Sequence, residues 1–155
     1  MSAIDAVLLA AFGPGRFAKA AERLREGNAA RAELSRVALA DGDLIGTCRI
    51  WPVDGPPGGV MLLGPIAVRP DRQRSGTAAV LISETLKACD AAGVTAVVCV
   101  GNLWLFGPHG FVANTGNAEL PGPVDLKRLL VRGHGGRDAP ALNGKLSVPR
   151  AARRA

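Results

Sequence analysis

An α/β (α+β) fold is what this sequence predicts, and three observations carry the prediction. Gly59 to Val68 is an almost wholly apolar run and reads as a strand buried on both faces. Thr77 to Ala92 is alanine-rich, with Ile82, Leu86 and Cys89 at core-facing spacing, and reads as a helix closed by Gly93. Val94 to Val100 is a second buried strand. Strand, helix and strand within about 40 residues form a right-handed crossover that leaves the two strands side by side.

The remaining elements follow in order. Ile4 to Phe12 is a short apolar segment stopped by Gly13-Pro14-Gly15. Arg16 to Arg25 has the pattern of an amphipathic helix, with Phe17, Ala20, Ala21 and Leu24 on one face and Gly27-Asn28 ending it. Ser35 to Ala40 and Leu44 to Val53 are β-rich runs around Asp41-Gly42-Asp43, the signature of a hairpin. Gly64-Pro65 interrupts the apolar strand. Proline cannot donate to a ladder, so it marks an edge or a bulge. A bulge is the favoured reading here, because pushing the strand from its neighbour opens a cleft in which a linear ligand can pair with the backbone of Ile66 to Val68. Asn102 to Phe111 is a loop or short helix with an apolar patch at Trp104, Leu105 and Phe106. Leu126 to Val131 and Leu142 to Val148 are candidate late strands. Residues 1–149 read as one domain, and 150–155 as a basic, disordered tail.

Composition narrows the class. A length of 155 residues suits one domain with a real core, and 48% apolar residues is a globular balance. The net charge of +6 asks for an acidic partner. No stacking aromatics interleave with the basic residues, which argues against nucleic acid. Cys48, Cys89 and Cys99 lack metal-ligand spacing and sit in apolar surroundings, so no metal is expected and the thiols read as packing. This usage, with no leader-like start, predicts a cytoplasmic protein. The longest apolar run is about half what a membrane helix needs.

The segment that carries chemistry is Ile66 to Ala78. The apolar strand stops at Val68, a charged turn follows, and Gln73, Gly76 and Ala78 open the helix. A turn of small residues at a helix start leaves backbone N–H groups unpaired and adds the positive end of the helix dipole, a combination that suits phosphate. Arg69, Arg72 and Arg74 add positive charge. No Gly-Lys-Ser/Thr follows, which sets the segment apart from a P-loop.

Gln73-x-x-Gly76-x-Ala78 resembles the [Gln/Arg]-x-x-Gly-x-[Gly/Ala] signature of GCN5-related N-acetyltransferases. Leu63-Gly64-Pro65-Ile66-Ala67-Val68 before it and Gly101 to Phe111 after it are similar to the YhbS-like branch of that superfamily. The resemblance implies a mixed, twisted sheet of about six strands with flanking helices and splayed central strands. It implies acetyl-coenzyme A (coenzyme A) as cofactor, with the pantetheine arm on the backbone of Ile66, Ala67 and Val68. The pyrophosphate would lie on Arg74, Ser75, Gly76, Thr77, Ala78 and Ala79, with Gln73, Asn102 and Phe106 completing the cofactor site. The partner implied is a small-molecule or peptide amine, acetylated by direct attack in a ternary complex. Related enzymes often pair, which adds a homodimer to the expectations.

Two departures stand out. Family members usually begin with a strand before the first helix, and none is legible here. The tyrosine that often protonates the departing thiolate corresponds to Leu105 or Phe106, and the chain has no tyrosine at all. A general acid contributes about 10²- to 10⁴-fold, so its loss slows transfer without abolishing it. His109 is the titratable candidate in the closing loop, Asn102 can orient a water, and Glu84 reads as solvent-facing. The alternative function is a coenzyme A-binding sensor or interaction module with little or no catalysis.

Overall fold

The computed structural model describes residues 2–12 and 20–153. Six strands form one sheet in the order β1-β2-β3-β4-β7-β5. These are β1 (Arg36–Ala40), β2 (Asp43–Val53), β3 (Val60–Val68), β4 (Ala96–Val100), β5 (Val112–Ala113) and β7 (Leu129–Gly133), while β6 (Ala118–Glu119) and β8 (Gly144–Lys145) form a separate two-stranded ribbon. The helices are α1 (Ala3–Phe12), α2 (Ala20–Arg23), α3 (Thr77–Ala91), α4 (Leu103–Phe106) and α5 (Arg150–Arg153).

β1 and β2 make the expected hairpin. Asp41 and Gly42 both take positive φ, 52° and 82°, the turn whose twist matches paired strands. β3 pairs antiparallel with β2 and, after the α3 crossover, parallel with β4. The sheet is therefore mixed, as expected.

Alternation along the strands sorts two cores. Cys48, Ile50, Leu63, Val97 and Cys99 face α3 and meet Leu81, Ile82, Leu86 and Cys89. Trp51, Val53, Leu62, Ala96 and Val98 face the other way and are covered by Leu24 of the α2 segment and by Leu142 and Leu146 of the late chain. The three cysteines are buried and unpaired. Burial pushes the Cys48 thiol up to about 12 and the Cys89 thiol to about 11, and raises Cys99 as well. They are inert packing groups, as composition implied.

α1 lays Val7 and Leu8 on Ala67, and no strand precedes β1 among the described residues. The expected helix over 16–25 appears as α2; Arg16, Phe17 and Lys19 lie outside the described residues. β7 begins three residues later than the expected strand at Leu126, because Leu126–Arg128 forms a 3-10 turn capped by Asp125. Of Leu142 to Val148, only Gly144 and Lys145 form a ladder, and Ser147 adds an isolated antiparallel bridge to Asp54. Arg150–Arg153 is a short helix where the sequence reading expects a disordered tail.

Candidate active site

β3 and β4 share a parallel ladder only from Val60↔Ala96 to Leu62↔Val98. Past that point they part. The cause lies in β3, where Cys48 pairs with Ile66 but Ile50 pairs with Leu63. Gly64-Pro65 therefore stands against one residue of β2, a bulge, and the edge-strand alternative is excluded by β4 on the other side. Leu63, Ile66 and Val68 all end up on the α3 side, a spacing that requires the extra residue.

Two side chains fix the parted strand. The Trp51 indole N–H donates to the Gly64 carbonyl at 2.6 Å, in a buried position. The Arg49 guanidinium lies 4.6 Å from the Trp51 ring centroid. Farther along, Gln73 Nε2 donates to the Val68 carbonyl at 3.1 Å. Arg69 N–H bonds the Ile45 carbonyl at 2.7 Å, which makes Val68↔Gly46 a pair whose own N–H and C=O point away from β2. By the same alternation Ile66 presents its backbone groups to the cleft, whereas Ala67 turns its own toward Thr47. Ala67 borders the cleft without a main-chain hydrogen bond to offer it.

At the far end stands the cradle. Arg74 and Gly76 take φ of 64° and 82°, so successive N–H groups converge as a nest before α3 begins. Among the described residues, no group accepts from the backbone N–H of Arg74, Ser75, Gly76, Thr77, Ala78 or Ala79. The first donation in this stretch is Val80 N–H to Gly76 O at 3.2 Å. Ser75 Oγ is occupied with Arg72 O at 2.6 Å and sits 2.7 Å from Thr77 Oγ1. Of the three arginines, Arg72 and Arg74 line the cleft. Arg69 does not: its guanidinium is paired with Asp71 at 3.0 and 2.6 Å, and that pair holds the Asp71 carboxyl below its usual range.

Cradle and bulge belong to one cavity of about 870 Å³, within the size range of small-molecule sites. Ile66, Ala67, Val68, Gln73, Asn102 and Phe106 all border it, as does every residue from Arg74 to Ala79. Phe106 is seated by Gly101, where an added Cβ would collide with its ring, and by an edge-on contact with Phe111 at 5.5 Å. Leu105 and Phe106 present hydrocarbon. Trp104, expected as core or wall, is wall: 76% of it is exposed.

His109 is not among the cavity residues. Its carbonyl accepts from Arg132 Nε at 2.8 Å, and Arg132 grips Asp90 of α3 with two bonds of 2.9 Å. Burial, and the charge of Arg132, lower the imidazole pKa. The His109 backbone thus belongs to a strut between α3 and β7. Sequence reasoning missed Glu22, Arg25 and Arg128, which also border the cavity. Glu22 is only 8% exposed and lies 2.9 Å from Arg25. A glutamate amid Ala20, Ala21 and Leu24 signals a buried acid only once α2 is known to lie against the sheet.

Comparison with known proteins agrees with this geometry. The family model for the acetyltransferase (GNAT) family matches residues 3–104. The chain belongs to that family. It is similar to the structure of the GNAT family N-acetyltransferase YhbS from Escherichia coli in complex with coenzyme A: TM-score 0.71, 25% identity, covering 95% of this chain and 83% of that one. It is similar also to a GNAT family acetyltransferase from Brucella melitensis in complex with acetyl-coenzyme A: TM-score 0.66, 26% identity, covering 96% of this chain and 88% of that one. None of the curated proteins compared matches.

Proposed function

We propose that the chain transfers the acetyl group of acetyl-coenzyme A to a primary amine of a small molecule or peptide, by direct attack within a ternary complex. The observation that carries this reading is the run of six backbone N–H groups, Arg74 to Ala79, left without acceptors at the mouth of a cleft that two parted strands hold open. Such an array suits a diphosphate, and the helix dipole with Arg72 and Arg74 reinforces it. The backbone of Val68 and Ile66 suits the amides of a pantetheine arm, and the complexes of YhbS and the Brucella enzyme support the same ligand.

When bound, acetyl-coenzyme A supplies the activated acyl group: a C–N bond forms to the amine as the C–S bond breaks and sulfur keeps the electron pair. The chain's part is to place the reactants. The bulge ends the open part of the cleft, so it sets how far the arm runs. Backbone N–H groups near Ile66 are positioned to polarise a carbonyl. Leu105 and Phe106 offer no proton to sulfur, so solvent, ordered by Asn102, takes that role. Free buried thiols favour a reducing cytoplasm; no helix among the described residues is long and apolar enough to cross a membrane.

The hydrocarbon wall at Leu105 and Phe106 favours one other reading, a coenzyme A-binding module without turnover. Calorimetry with acetyl-coenzyme A beside a thiol-release assay on mixed primary amines decides. Binding with turnover supports transfer, binding alone supports the module, and no binding defeats both.

A further inference from the structure

We propose that Arg128 reads the acceptor, and that the acceptor is an amine bearing an acidic group, a carboxylate or a phosphate. The proposal rests on the acetyl-transfer reading of the same site and adds its substrate class.

Position comes first. The last β3–β4 pair before the strands part is Leu62↔Val98. Three residues further along β3 stands Pro65, in the bulge, and three residues past Val98 stands Gly101. Gly101 N–H donates to the Arg128 carbonyl at 2.9 Å, one step beyond the Val100↔Leu129 pair. Arg128 is therefore anchored level with the bulge, where the arm's path ends and the amine has to meet it. The phosphate cradle lies elsewhere, past the end of β3 at the start of α3.

Charge comes second. Four arginines border the cavity, Arg25, Arg72, Arg74 and Arg128, against two carboxylates, Glu22 and Asp125. Arg25 and Glu22 pair with each other at 2.9 Å. Arg72 and Arg74 stand at the cradle, with the cofactor's phosphates. Asp125 Oδ1 accepts from Lys127 N–H at 3.0 Å, capping a turn. The Arg128 guanidinium is different: among the described residues it has no hydrogen-bond or ion-pair partner. A guanidinium is a planar fork of donors that fits a carboxylate or phosphate with two parallel bonds. A cleft lined by one sign of charge also draws in ligands of the other sign. An acceptor with only an ammonium meets an excess of like charge; an acid on the same molecule offsets it and gives Arg128 its partner.

The separation fits a small molecule. Between Arg128 and Ile66 lie β4 and the parted gap, two strand spacings or about 10 Å at least, and the arginine side chain spans part of that. An acceptor whose amine and acid are a few bonds apart bridges the rest. Trp104 and Val124 border the same cavity, and the exposed indole gives the acceptor's carbon skeleton an apolar rest.

The test compares the full chain with Arg128→Gln and Arg128→Lys. Thiol release gives kcat/KM for three pairs of amines that differ in the acid: phenylalanine and 2-phenylethylamine, β-alanine and propylamine, O-phosphoethanolamine and ethanolamine. Wild type should favour the acid member of at least one pair by about tenfold or more. Arg128→Gln should shrink that ratio by about 10- to 100-fold, the range of a lost hydrogen bond to a charged group. Arg128→Lys should recover part of it, because the charge stays and the fork goes. A merely structural role would lower both members of a pair alike and leave their ratio unchanged. Calorimetry with coenzyme A and dephospho-coenzyme A separates the other source of phosphate. Arg128→Gln that weakens the first about tenfold and spares the second, with the acid preference kept, assigns the guanidinium to the cofactor's 3′-phosphate and overturns the inference. Wild type that turns over the neutral amines as fast as their acid partners, or faster, overturns it too and leaves the transfer reading intact. An acid preference that persists in Arg128→Gln does the same. Wild type that fails to bind acetyl-coenzyme A, or binds it and acetylates none of the six amines, defeats the transfer reading and this inference with it.

Discussion

The two halves of the β3–β4 pair differ in what holds them. Over Val60–Leu62 and Ala96–Val98 the strands satisfy each other, and every side chain but the half-buried Met61 is almost wholly buried. Over Ile66–Val68 the ladder with β4 is absent: β2 still pairs along one edge, while the edge facing the cleft is held only by single contacts at particular atoms, Trp51 on the Gly64 carbonyl and Gln73 on the Val68 carbonyl. A closed half tolerates the loss of any one contact because its neighbours persist. An open half is specified contact by contact, so a change there should reach ligand binding before it reaches folding.

The sharpest way to break that contrast is at the cradle. Gly76→Ala places a side chain where φ is 82°; nothing lies within 4 Å of the added Cβ, so the empty protein pays only backbone strain of about 1–2 kcal/mol. Re-aiming the N–H array should weaken acetyl-coenzyme A by about 100-fold or more, a loss of several charge-assisted bonds, measured by calorimetry beside a urea midpoint. Equal losses in folding and binding would contradict the contrast.

Asp90→Asn tests the closed framework. The Arg132 side chain is 9% exposed and that of Asp90 27%, so breaking the pair should cost about 1–2 kcal/mol of stability after allowance for solvent, with cofactor affinity unchanged. The pH dependence has a definite sign. Arg132 holds the Asp90 pKa below its ordinary value. Its contribution is present in full above the unfolded carboxyl pKa, about 3.9, and disappears as pH falls through the depressed folded value. Denaturant midpoints below about pH 4 should therefore fall less steeply in Asp90→Asn than in wild type.

Trp51→Phe keeps the ring and removes the donor. It should weaken acetyl-coenzyme A about tenfold while leaving 3′,5′-ADP, which lacks the arm, bound as before; that is the size of one neutral hydrogen bond. A matching loss for both ligands would show that Trp51 acts on the whole fold and not on the bulge. Smallest is Gln73→Ala, which frees the Val68 carbonyl at a partly exposed position and should cost about threefold in acetyl-coenzyme A affinity.

What the sequence disclosed and what it hid follow the same division between near and far. The cradle is built from seven consecutive residues, so turn chemistry and a helix start were enough to find it. The bulge announces itself as a proline in an apolar run. Glu22 and Trp51 act across gaps in sequence: Trp51 meets Gly64 thirteen residues on, and Glu22 reaches the cleft only because Leu24 packs on the outer face of the sheet. Periodicity sees both as ordinary members of an amphipathic helix and a strand. His109 differs from them in the opposite sense. It sits in the right loop by order, but Arg132 binds that loop's carbonyl and the imidazole stays outside the cavity. The last strand is shorter than its pattern because apolar alternation persists where the ladder does not: Leu142, Leu146 and Val148 are buried, yet the ladder spans two residues and Ser147 adds one isolated bridge.

The sealed cysteines carry a practical corollary. With all three sulfurs inside the protein and strongly disfavoured as thiolates, native enzyme should consume almost none of a sulfhydryl-trapping dye. Colour that develops during a reaction then counts liberated coenzyme, so even feeble turnover becomes measurable against a quiet background.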